Sequence, residues 1–270
     1  MNKQIFIDKN GIKEEDKELA LKIIKELRNG KRVFGNPGEG LRITLKKLEQ
    51  CLLDKNSNNP LVWKTKNKNI MQEISRVKAG INGEIRLASY IEQIIKNDPK
   101  LHGIIFFASL SSIDTETEEQ LGYIPDTDFI AVYGKNIMIL DAKNITISEN
   151  NPIYIDNNFL KTPSSVIMEL KSSKYIWENI FRKENFNGKI DGCTVLISDN
   201  KTLIYKNEEW YKNPCRPIFV GDLREFLIEW ISKIKDTALS LKLLTIISNT
   251  QIRKKKSDIK FSDSLLRFMN

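Results

Sequence analysis

Apolar positions recur at helical spacing in the first part of the chain. Leu19, Ile23, Ile24 and Leu27 predict a helix from about Lys13 to Arg28, with Gly30 as its C-terminal stop. Gly35-Asn36-Pro37-Gly38 reads as a loop. A second helix is expected from about Leu41 to Leu53, ended by Asn56–Pro60. Helical spacing resumes near Asn69 and is expected to run to Lys96, with a break around Gly80–Gly83 and a stop at Asp98-Pro99. Ile85, Leu87, Ala88, Ile91, Ile94 and Ile95 share one face of its second half.

The period then changes. Gly103–Ala108 reads as a buried strand and 109–122 as a polar, acidic loop. Thr127–Tyr133 and Ile137–Lys143 are two β runs, and Gly134-Lys135 between them fit the centre of a type II′ turn. A polar loop is expected over Asn144–Pro163, a helix over Ser164–Lys183, and strands at Cys193–Ile197, Leu203–Tyr205 and Ile218–Val220. Asp222 and Glu225 form a capping-box-like start to a long C-terminal helix whose buried face carries Leu223, Phe226, Leu227, Trp230, Ile231 and Ile234. The apolar stretch Ala238–Ser248, interrupted by Lys242, reads as a buried helix face rather than a membrane span. The element order predicts an α/β fold, a central mixed sheet with helices on both sides. Three segments follow: a helical N-terminal accessory region (1–75), an α/β domain (76–220), and a C-terminal helix with a basic tail (221–270).

The hairpin carries the candidate chemistry. With Gly134-Lys135 at the turn, Tyr133 pairs with Asn136, Val132 with Ile137, Ala131 with Met138, Ile130 with Ile139 and Phe129 with Leu140. Asp128 then meets Asp141, on one face of the sheet. Period 2 adds Lys143 to that face, and Asp126 as well if the strand extends so far. Like charges directly opposed destabilise a sheet, and a divalent cation held by oxygen ligands, Mg²⁺ or Mn²⁺, relieves them. The simpler alternative makes the two aspartates strand-end residues facing water, with Lys143 in a surface ion pair. Glu84 follows Gly80-x-x-Gly83. It is either a carboxylate favoured at a helix start or one that reaches the same ion from the opposite side.

Gly80-x-x-Gly83-Glu84 on a helix, Asp128 entering an apolar strand and Asp141-Ala142-Lys143 ending the next together resemble the NERD (nuclease-related) domain. That family is similar to the PD-(D/E)xK restriction-endonuclease-like nucleases. The resemblance covers about residues 78–200. It implies a restriction-endonuclease-like sheet and a metal-dependent phosphodiesterase centre. Glu84 would be the helix carboxylate, Asp128 and Asp141 the metal ligands with the Ala142 carbonyl as a further ligand, and Lys143 the catalytic lysine. Asp126 rivals Asp128, since Pro125-Asp126 also spells the literal Pro-Asp. The chain departs from the family where members carry a glutamine after an Asn-Pro pair; Thr162–Val166 occupies that place without one.

Charge and composition then narrow the partners. Hydrophobic residues make up 40% and charged residues 29% of 270, which excludes wholesale disorder. The net charge of +8 favours a polyanionic partner. Lys64, Lys66, Lys68, Arg76 and Lys78 precede Glu84 and are candidates to grip DNA phosphates; Arg253–Lys256 form a second basic run. A solvated helix face is the alternative for both. Trp63, Trp177 and Trp210 are candidates for stacking on bases, while Trp230 reads as core.

Cys51, Cys193 and Cys215 are odd in number and far apart, so a disulfide framework or zinc knuckle is not expected, and a cytoplasmic location is. His102 is the single histidine, which leaves Ser/Cys–His nucleophile systems little to work with. Phosphate-cradling glycine loops of kinases and dehydrogenases are absent. A metal-dependent DNA nuclease is therefore expected. A nucleic-acid-binding module without turnover, or a protein-interaction subunit acting through its terminal helices, as a homo-oligomer or with another protein, are the alternatives.

Overall fold

The structure is a computed structural model and describes residues 6–53, 60–111, 126–144, 153–156, 159–160, 166–198, 203–205 and 217–256. Its centre is a six-stranded mixed sheet of order β10-β8-β5-β4-β3-β2, made of β2 (Val33–Phe34), β3 (Ile105–Ser111), β4 (Asp126–Tyr133), β5 (Asn136–Asn144), β8 (Ile190–Ile197) and β10 (Ile218–Phe219). β3, β4 and β5 are antiparallel neighbours; β2, β8 and β10 join in parallel. Two small sheets accompany it. One pairs β1 (Ile7–Asp8) with β11 (Leu239–Ser240). The other has the order β7-β6-β9, from β6 (Ile153–Asp156), β7 (Phe159–Leu160) and β9 (Leu203–Tyr205). The 144–163 region, expected to be loop throughout, thus contains two short strands.

Helices cover both faces, because strand residues alternate between two apolar layers. On one face Ile105, Phe107, Ile130, Val132, Ile137 and Ile139 pack with α1 (Lys17–Arg28), α4 (Val166–Lys183) and α6 (Leu241–Lys256). On the other, Phe106, Phe129, Ala131, Met138, Leu140 and Val195 meet α3 (Pro60–Asn97) and α5 (Leu223–Ser232). α2 (Glu39–Leu53) lies on the first half of α3, around Leu48, Ile70, Ile74, Val77 and Ile81. Full burial of a large side chain such as Trp177 or Phe106 contributes about 1.5–3 kcal/mol. α1 and β2 share this core: β2 is an edge of the central sheet, and Ala20, Ile23, Ile24 and Leu27 of α1 belong to one of its layers.

Three local expectations are corrected. The break at Gly80–Gly83 does not exist; α3 is continuous from Pro60 to Asn97. The glycines serve close approach instead. A Cβ on Gly80 would lie 2.8 Å from Leu41 Cδ1, and one on Gly83 2.8 Å from Asn144 Cβ. α2 and the end of β5 occupy that space. The long C-terminal helix is two helices, α5 and α6, because the polar Lys233–Thr237 stretch interrupts the apolar face and the chain pairs as β11 before turning helical again. Asp222 makes no side-chain capping bond to α5, and Glu225 pairs with Arg224 Nη1 at 2.7 Å. Over residues 241–250 α6 is buried nearly all round, with Leu241, Leu243, Leu244, Thr245, Ile247 and Ser248 all buried, so its apolar run is core. Among the described residues no helix is long and apolar enough to cross a membrane.

Candidate functional site

The hairpin register matches the sequence expectation from Tyr133↔Asn136 to Phe129↔Leu140. There the ladder ends. Asp128 and Asp141 do not form a paired step; instead the Ala142 backbone N–H donates to Asp128 Oδ2 at 2.7 Å. The carboxylate takes a bond that strand pairing would otherwise have used. β5 meanwhile continues against β8 as far as Asn144↔Ile197, which holds Asp141, Ala142 and Lys143 in regular strand geometry beside Thr194, Val195 and Leu196.

A change of phase in β3 brings α3 into the same place. Phe106 and Ala108 face α3 while Ile105 and Phe107 face the opposite layer, and Leu110 joins that opposite layer too. Alternation is therefore broken once, at Ser109, whose φ of 51° is left-handed. A non-glycine residue held there stores strain of order 1–3 kcal/mol and is tolerated only where its surroundings fix it. Here they do: Ser109 is buried, its hydroxyl donates to Glu84 Oε2 at 3.2 Å and accepts from Glu39 N at 3.3 Å. Ser109 lies between the Ala108↔Phe129 and Leu110↔Thr127 pairs, opposite Asp128.

Glu84 is not at a helix start. It sits deep within α3, 4% exposed, so a helix-terminus role is excluded. Its Oε2 also accepts the Gly38 N–H at 2.7 Å, at the entry to α2. Gly38 has a φ of 76°, and a Cβ there would lie 3.2 Å from Ile81 Cγ2. The Gly35–Gly38 loop can deliver that amide because glycine permits both the conformation and the approach. The backbone N–H and the hydroxyl fix the orientation of this buried carboxylate.

The side chains thus gathered are Glu84 from α3, Asp128 from β4, and Asp141 and Lys143 from β5. Lys143 Nζ lies 3.1 Å from Asp141 Oδ1. Asp141 Oδ2 is buried and takes no hydrogen bond among the described residues; the same holds for Thr194 Oγ1, on the adjacent strand in register with Asp141. Asp128 as a residue is partly accessible, but its carboxyl group is withdrawn from water. Its pKa is pushed well above the ordinary carboxylate value, first by that desolvation, then by the negative charges of Glu84 and Asp141; Lys143 and the Ala142 amide pull the other way. The charges acting on Asp128 are those of the sequence-selected residues. Asp126, the rival, lies exposed at the outer end of β4, opposite Ser111.

The donor set is all oxygen and crowded with like charge, which fits Mg²⁺ or Mn²⁺ by ligand type. Among the described residues no group of three His, Cys, Asp or Glu stands in metal-ligating geometry. One oxygen of each carboxylate is engaged: Glu84 Oε2 by Gly38 and Ser109, Asp128 Oδ2 by Ala142, and Asp141 Oδ1 by Lys143. No family model matches the chain, and neither a curated protein nor a solved structure does.

The other candidates disperse. Lys68, Arg76 and Lys78 are exposed on α3; Arg76 pairs with Glu73 at 3.3 Å and Lys78 with Glu49 at 3.7 Å. The side chains of Lys64, Lys66, Trp63 and Arg253–Lys256 lie outside the described residues, as do Trp210, Cys215 and Thr162–Ser165. Trp177 is fully buried and donates to Thr127 Oγ1 at 3.1 Å, so it is core and not a stacking surface. Trp230 is core too, bonded to Asp191 Oδ2. Cys51 and Cys193 form no disulfide among the described residues. The sequence pattern gives Ser109, Gly38 and Thr194 no role at the site. Ser109 falls where polarity predicts loop, and its role depends on a backbone conformation that no residue pattern announces.

Proposed function

We propose that the chain is a metal-dependent nuclease of the NERD, PD-(D/E)xK type that hydrolyses phosphodiester bonds in DNA. One observation carries this reading: three carboxylates and a lysine, from a helix and two strands, converge at one end of a mixed α/β sheet. A purely structural hairpin gains nothing from crowding Asp128, Asp141 and Glu84, since like charges in a desolvated place cost stability. Asp128 and Asp141 would hold Mg²⁺ or Mn²⁺, with the Ala142 carbonyl adjoining. Bound there, the ion would supply Lewis-acid polarisation of the phosphate and acidify a water.

The chain's own residues do the rest. Lys143, tethered to Asp141, offers a fixed positive charge to the negative charge that develops on the phosphoryl oxygens. Glu84, held by Gly38 and Ser109, would orient water from the α3 side. The Ala142 amide keeps the Asp128 carboxylate in place. Lys68, Arg76 and Lys78 on α3 lead toward Glu84 and would hold the DNA backbone without regard to sequence, a grip that weakens with salt.

Incubation of the purified chain with supercoiled plasmid and with single-stranded DNA, in Mg²⁺, Mn²⁺ or EDTA, tests the reading. Cleavage that requires metal and disappears in Asp141→Ala/Lys143→Ala is expected. Salt-sensitive binding without cleavage would replace the nuclease by a binding module. Neither binding nor cleavage would leave a protein-interaction role for the fold.

A further inference from the structure

A groove of about 930 Å³ runs between the end of α1, β2 and the last turns of α3. His102, which leads into β3, borders it, whereas the carboxylate cluster lies toward the other end of that strand. Its floor is apolar, formed by the buried Ile24, Leu27 and Ile95. Its rim is basic: Lys9, Arg28, Lys31 and Lys96, with Arg32 deeper. Glu92 is the one carboxylate among the described lining residues.

Some of this charge is already committed. Lys31 pairs with Glu26 at 2.7 Å and lies over the Phe34 ring. Lys9, Arg28 and Lys96 form no ion pair among the described residues. Arg32 is half-buried; its Nε donates to the His102 carbonyl and its Nη1 to the Leu27 and Lys31 carbonyls, each at 2.9 Å, which among the described residues leaves Nη2 for a ligand. Burial lowers its pKa, and among the described residues no carboxylate pairs with it to offset that cost. Cations near the ends of α1 and α3 complement the helix dipoles, which accounts for Arg28 and Lys96. It does not account for Lys9, which follows β1, or for Arg32 beneath them.

We propose that this groove is a binding site for a phosphate-bearing ligand, its phosphates taken by Lys9, Arg28, Arg32 and Lys96 and its apolar portion by the floor. Several cations against one carboxylate suit a ligand with more than one negative charge, and guanidinium groups match phosphate geometry. The volume lies within the range of small-molecule sites. Two sources share this chemistry: the phosphates of a free nucleotide, and the phosphodiesters of a nucleic-acid strand.

Calorimetric titration of the full chain in EDTA tests the site independently of the carboxylate centre, since no cleavage occurs there. The probes are adenosine triphosphate in one arm and a short oligothymidylate in the other. Lys9→Glu/Lys96→Glu, both exposed and outside the proposed catalytic set, is compared with Lys171→Glu on α4, and equal melting temperatures establish that all fold. Binding of at least one probe, weakened about tenfold or more by the double variant and unchanged by Lys171→Glu, is expected. A response to the triphosphate marks a nucleotide site; a response to the oligonucleotide alone marks a strand-binding site. Absence of binding by both probes, or equal weakening by the Lys171→Glu control, would overturn the proposal.

Discussion

At the turn of the β4–β5 hairpin everything serves fit. Gly134 holds a φ of 60°, and a Cβ there would lie 2.2 Å from the Asp236 carbonyl oxygen. The Gly134 carbonyl accepts the Ser240 amide, and Asn136 Oδ1 accepts the Lys189 amide. Lys135 reaches Asp236 at 3.4 Å, pairing opposite charges. At the open end of the same strands the arrangement is reversed. Carboxylates crowd one another, the ladder stops early, and Ser109 holds a left-handed backbone. The two ends have the same strands and the same apolar middle. The turn end pairs opposite charges and satisfies its amides, whereas the open end crowds like charges in a desolvated place, a cost that the proposed catalytic centre would explain.

The sharpest way to break this contrast is through activity. Asp141→Asn or Lys143→Met should lower single-turnover DNA cleavage by roughly a thousandfold, about 4 kcal/mol, with little change in melting temperature. Gly134→Val should do the opposite. A branched side chain in a left-handed conformation, facing a carbonyl, should cost about 3 kcal/mol or more in a denaturant melt. Cleavage per folded molecule should be kept.

Ser109→Ala lies between the two. It removes a hydroxyl that orients Glu84 and should slow cleavage by about tenfold, while losing roughly 1 kcal/mol of stability. Rescue of rate by Ser109→Thr, measured beside it, would distinguish orientation from packing.

The smallest effect is on Asp128. Its pKa is higher in the folded chain than in the unfolded one, so the folded state binds the proton more tightly. Stability therefore falls as pH rises from the ordinary carboxylate range toward the raised value. Asp128→Asn should raise the metal-free melting temperature by roughly 2–4 °C near neutral pH, and the gain should vanish as the pH is lowered below that range.

Much of this was legible in the residues. The Gly134-Lys135 turn and strict alternation fixed the register of five hairpin pairs, and Lys143 fell beside Asp141 as period 2 requires. Alternation could not foresee its own failure at Ser109, because a left-handed φ leaves no compositional trace. Gly80 and Gly83 look like helix breakers in isolation; only the approach of Leu41 and Asn144 shows why a helix keeps them. The burial of Glu84 follows from that same approach, which joins parts of the chain far apart in sequence.

The most direct test of the open end as a cation site is the melting temperature of the chain with and without millimolar Mn²⁺, beside Asp128→Asn/Asp141→Asn. The account predicts that Mn²⁺ raises the melting temperature of the native chain and leaves the double variant unmoved, the variant being the more stable of the two without metal. An equal response of both chains, or none in the native one, would contradict it.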